Sequence, residues 1–142
     1  MSPKVRQAIL RLSGALLVVL GALHLAVTPD IARMIEHSTP PTLVRWLEPP
    51  MLLNHMVVGI LLLPLGFLTF YAAPFASRGE RWAIVVSRAT ALTVATLPVM
   101  LFWLMGNRYL GAVPFVVAIC IVCAASVALL VAAFWPQTKV GF

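Results

Sequence analysis

The spacing of charged residues limits this chain more than any other feature. Uncharged runs cover 12–29, 49–77, 89–107 and 109–138. A charged side chain at the centre of a bilayer costs about 2.5 to 3.5 kcal/mol on insertion scales, so the charges mark where a membrane segment must end. A helix needs about 20 mostly apolar residues to span the hydrocarbon, and each run therefore supports one crossing. The sequence predicts an all-α fold: an antiparallel four-transmembrane-helix bundle with helices over about 8–28, 51–73, 83–105 and 113–135. The whole of 1–142 is expected to form a single integral membrane domain. Lys4, Arg6 and Arg11 ahead of an apolar stretch also fit a signal peptide, but the expectation is a retained first helix.

Composition agrees with this partition. Only 10% of the 142 residues are charged and 62% are hydrophobic, whereas soluble domains carry about 25% charged residues. A soluble globule, a disordered tail and a nucleic-acid partner are excluded despite the net charge of +6. The expected partner is the lipid bilayer, with a larger membrane complex or a homo-oligomer against the apolar helix faces. Two cysteines rule out a disulfide framework.

Basic residues then set orientation, because the side retaining more Lys and Arg is cytoplasmic. Lys4, Arg6, Arg11, Arg78, Arg81 and Lys139 fall on one side, against Arg33, Arg45 and Arg108 on the other. The plasma (inner) membrane with both termini cytoplasmic follows, and Arg88 is expected to snorkel back to the inner surface. Trp46, Trp82, Trp103 and Trp135 all fall at predicted helix ends, as an aromatic belt requires. Pro64 and Pro98 are expected to kink helices two and three.

Residues 29–50 form the long outer connection and hold three of the four acids, Asp30, Glu36 and Glu48. Apolar residues recur there at helical spacing, and Pro40-Pro41 and Pro49-Pro50 punctuate it. One or two short interfacial helices are expected, either as a plain amphipathic connector or as a lid over an outer-leaflet site.

Ionisable residues inside a span are functional candidates by default. His24 lies four residues before the predicted end of helix one and His55 four residues after the predicted start of helix two, so both sit roughly 6 Å below the outer boundary. Gly14, Leu17, Gly21, His24 and Thr28 form a heptad seam on helix one; His55, Gly59, Leu62, Gly66, Thr69 and Ala73 form one on helix two. Small residues on both seams let helices approach closely. Gly21 and Gly59, one turn deeper than the histidines, are expected to leave a flat recess beside the rings.

Three readings of this layer stay open. The histidines hydrogen-bond across the bundle to Thr28, Asn54 or a backbone carbonyl. Alternatively, His24 and His55 ligate a haem-like cofactor, or one of them a chlorophyll-type magnesium, in an electron-transfer role. In the third, His24, His55 and His37 hold a metal ion with help from Asp30, Glu36 or Glu48.

Helix four carries Cys120-Ile-Val-Cys123, a vicinal pair able to exchange electrons if one thiolate is accessible. With four helices, both termini inside and a long outer segment after helix one, the chain resembles vitamin K epoxide reductase. Ala22-Leu23-His24 and Arg81-Trp82-Ala83 are similar to that family's helix one and inner loop. The resemblance implies a membrane thiol or quinone oxidoreductase using Cys120 and Cys123, together with a second cysteine pair in the outer loop; residues 29–50 contain no cysteine. The residues themselves also fit two small apolar side chains packed in a bundle.

Phosphate loops, nucleophile elbows, zincin helices and paired intramembrane carboxylates are missing. The leading expectation is a small non-catalytic membrane protein, an accessory subunit holding a haem-like or metal cofactor through His24 and His55. The alternatives are the thiol or quinone oxidoreductase and a purely structural subunit.

Overall fold

A computed structural model of the chain describes residues 1–106 and 113–136. Five helices occupy them: α1 (Pro3–Ala26), α2 (Thr28–Ser38), α3 (Pro41–Ser77), α4 (Arg81–Met105) and α5 (Val113–Phe134). Four are long and apolar enough to cross a membrane: α1, α3, α4 and, over Val116–Phe134, α5. Arg108 and Lys139, which enter the orientation count, lie outside the described residues.

Two boundaries differ from expectation. The first helix begins at Pro3 instead of residue 8, taking Lys4 and Arg6 into its opening turns. More substantially, the expected break at Pro49-Pro50 is absent, and α3 runs unbroken for 37 residues from Pro41. Proline keeps a helical φ but removes the donor that would bond the carbonyl four residues earlier. Here the deprived carbonyls belong to Arg45 and Trp46, two residues on the exposed surface of the helix. Of the connection over 29–50 only α2 is a separate short helix, and Trp46 lies inside α3 instead of at a helix end. Helix also continues through Pro64 and Pro98.

The chain divides into two compact units, Ala15–Phe67 and Met1–Gly14 with Leu68–Phe142. In the second of these, α4 packs on α5 through small residues. Ala83, Ser87, Thr90, Ala91 and Val94 are the buried face of α4, and α5 contributes Ala125, Ser126, Leu129, Ala132 and Ala133. Buried hydroxyls are met locally: Ser87 Oγ donates to the Ala83 carbonyl at 2.8 Å. Ser126 Oγ reaches its own helix at Val122 O (2.7 Å) and α4 at Val94 O (3.3 Å). Among the described residues no buried side-chain polar atom lacks a partner.

Arg6 is the unusual member of this core, only 5% exposed. Its guanidinium donates to three carbonyls: Nε to Ala132 (2.8 Å), Nη1 to Ala76 (3.0 Å) and Nη2 to Ala133 (3.3 Å). These lie in the last turns of α5 and α3, where helices leave carbonyls without intrahelical donors. The sequence makes this acute at Ala132, because its helical partner would be Pro136, which has no N–H. Cations are also favoured at helix C-termini by the macrodipole. Alanine at all three acceptor positions, each 0% exposed, leaves room for the planar group.

Removing this clamp strands buried acceptors, at about 1–3 kcal/mol each. Arg6→Met is expected to lower stability by about 3 kcal/mol or more in reversible unfolding from detergent micelles. A shift under about 1 kcal/mol would show that water or another donor takes its place.

Candidate functional site

In the unit Ala15–Phe67 the structure brings His24 of α1 and His55 of α3 into contact. Their rings stack with centroids 4.6 Å apart and planes 24° from parallel. His55 Nε2 donates to the His24 carbonyl at 2.9 Å, and Thr28 Oγ1 donates to the same oxygen at 2.9 Å. That carbonyl is one of the last in α1, so both side chains complete a helix end that would otherwise lack donors. His24 Nδ1 donates to the Leu20 carbonyl one turn earlier, at 3.3 Å. Since carbonyls only accept, these bonds fix the tautomers. The proton is on Nε2 in His55 and on Nδ1 in His24, leaving lone pairs on His55 Nδ1 and His24 Nε2.

Gly21 and Gly59 lie one turn further along the same two helices, and their surroundings differ from the flat recess expected. A Cβ on Gly21 would sit 2.8 Å from the Gly59 carbonyl oxygen and 3.1 Å from Leu62 and Leu63. One on Gly59 would sit 3.0 Å from the Leu25 side chain and 3.1 Å from the Gly21 carbonyl. The space beside each glycine is filled by a backbone oxygen and leucine side chains of the opposite helix. The glycines therefore serve close helix contact where an open recess was expected.

The stacked rings also do not fit paired axial ligation of one iron. Axial imidazoles sit on opposite faces of the macrocycle, with the metal and ring plane between them. Here the imidazoles face each other in direct contact.

His37, Asp30 and Glu36 lie on exposed positions of α2. His37 Nδ1 donates to the Arg33 carbonyl at 2.6 Å, and Asp30 pairs with Arg33. Among the described residues no three His, Cys, Asp or Glu side chains form a group able to hold a metal. Glu48 lies half-buried in α3. Cys120 is an exposed free thiol on α5 and Cys123 a partly exposed one, three residues apart and hence on adjacent turns of one face.

No protein-family model, curated protein or solved structure matches the chain. The likeness to vitamin K epoxide reductase rests on the sequence features named above.

Arg6 reads from the sequence as a topology marker, whereas the structure buries it as a clamp on three carbonyls. The signal was present in the Pro136 that deprives Ala132 of a donor and in the alanines at 76, 132 and 133.

The glycine contacts predict an asymmetry. Gly21→Ala places its methyl 2.8 Å from a backbone oxygen and is expected to cost about 1–3 kcal/mol, whereas Gly59→Ala meets the Leu25 side chain at 3.0 Å and a backbone oxygen at 3.1 Å and should cost less than Gly21→Ala. Thermal unfolding of the two variants in the same detergent measures the difference, and equal losses would count against this packing.

Proposed function

We propose that this chain is a small non-catalytic protein of the plasma (inner) membrane, an accessory subunit whose four helices cross antiparallel with both termini cytoplasmic. Its histidine pair fastens α1 to α3 and is not a cofactor cage. The observation carrying this reading is the hydrogen bond from His55 Nε2 to the His24 carbonyl beneath stacked rings. A donor from another helix at a helix end is worth most where water is absent. Large apolar side chains left exposed on every long helix, among them Leu12, Phe67, Trp103 and Leu104, suit lipid or neighbouring subunits.

One observation favours a second reading. His24 Nε2 and His55 Nδ1 keep lone pairs in half-buried rings. Either could give a single ligand to a haem-like group or metal ion whose remaining ligands come from elsewhere.

Purified from membranes, the protein is expected to show no Soret absorbance and no stoichiometric metal. His55→Ala should cost about 1–2 kcal/mol in stability, the price of one interhelical bond and a ring stack. A haem spectrum lost in His24→Ala or His55→Ala would replace the fastening by the second reading.

A further inference from the structure

Two guanidinium groups meet at the end of α5. Arg6 Nη2 and Arg88 Nε both donate to the Ala133 carbonyl, at 3.3 and 3.4 Å, so two like charges share one acceptor. The Arg88 guanidinium also lies over the Phe134 ring, 5.1 Å from its centroid. Arg6 is buried and held by three carbonyls, while Arg88 is exposed. The pair thus combines a fixed buried charge with an accessible arm. Seven residues before Arg88, Arg81 starts α4 two turns away on the same side.

Little neutralises this charge. Glu80 is the unit's only Asp or Glu, and it is engaged by Arg78 at 3.4 Å and by Trp82 Nε1 at 2.9 Å. Among the described residues no carboxylate pairs with Arg6 or Arg88. Carbonyl dipoles complete some of their N–H groups but carry no net negative charge. Arginine has five N–H donors. Arg6 uses one on each nitrogen, and among the described residues neither terminal nitrogen of Arg88 has a hydrogen-bond acceptor, which leaves both able to fork onto a phosphate.

We propose that Arg88, backed by Arg6 and flanked by Arg81, binds the headgroup phosphate of an anionic phospholipid. A lipid is favoured over free phosphate because exposed apolar side chains border Arg88. Val85 and Leu92 lie one turn away on α4, and Val131, Phe134 and Trp135 lie at the end of α5. A phospholipid offers acyl chains to that surface along with its phosphate; inorganic phosphate offers nothing to it. The inference rests on the membrane-spanning reading above.

The test is native mass spectrometry of the full chain released from mixed micelles containing phosphatidylglycerol and phosphatidylcholine. The wild type is expected to retain phosphatidylglycerol preferentially. Arg88→Gln should weaken that retention about five-fold, the effect of one arginine near an anionic leaflet. Arg45→Gln, a cation of the other unit, should leave it unchanged. Equal retention of the two lipids, or an unaltered preference in Arg88→Gln, overturns the site. Displacement of phosphatidylglycerol by millimolar inorganic phosphate overturns the headgroup assignment, and persistence in phosphate supports it. Because Arg6 variants compromise the core, the reading relies on Arg88→Gln, whose folding is checked by its unfolding midpoint. A chain recovered in the soluble fraction of broken cells overturns the membrane reading first.

Discussion

The end of an apolar helix leaves carbonyl groups that no residue of its own can satisfy, and this structure depends on how those groups are met. Where water is scarce, each unmet carbonyl costs several kcal/mol. The chain spends its rare polar side chains on that problem. Arg6 covers Ala132, Ala133 and Ala76 at the ends of α5 and α3, and His55 with Thr28 covers His24 at the end of α1. In each case the donor comes from a different element, or from the next one in the chain, so satisfying a carbonyl also ties elements together.

Close packing is the second requirement, and it takes different forms in the two units. Between α1 and α3 the contact is made by glycine, with backbone oxygen near the opposite Cα. Between α4 and α5 it is made by alanine and serine, with one hydroxyl, that of Ser126, serving both helices. Hydrocarbon gives apolar helices no solvophobic reason to associate, so small residues and a few hydrogen bonds must supply the contact energy.

Much of this was legible in the sequence. The charge spacing located the four long apolar helices, and the heptad seams named residues the fold buries, including Leu17, Gly21, Gly59, Leu62, Gly66, Thr69 and Ala73. The matching depth of His24 and His55 anticipated that they meet. What did not carry over depends on three-dimensional partners. Glycine opposite glycine reads equally as an empty slot or a tight contact, and only the position of the facing backbone decides. Pro49-Pro50 reads as a break, yet their cost falls on carbonyls that happen to be exposed. Arg6 reads as one positive charge among several, because its acceptors lie some 70 and 126 residues away.

The unbroken α3 has a mechanical meaning. At 1.5 Å per residue its 37 residues make a rod about 55 Å long, whereas the hydrocarbon core is about 30 Å thick. The helix is thus longer than one crossing requires, and its first turns, with Arg45, exposed Trp46 and Glu48, are its most polar part. His55 lies nine residues along the same rod from Trp46, about 13 Å, with no turn between them. Pro49 and Pro50 fall in that interval, so two backbone bonds are missing between the exposed first turns and the histidine contact, and α3 bends there more easily than an uninterrupted helix would.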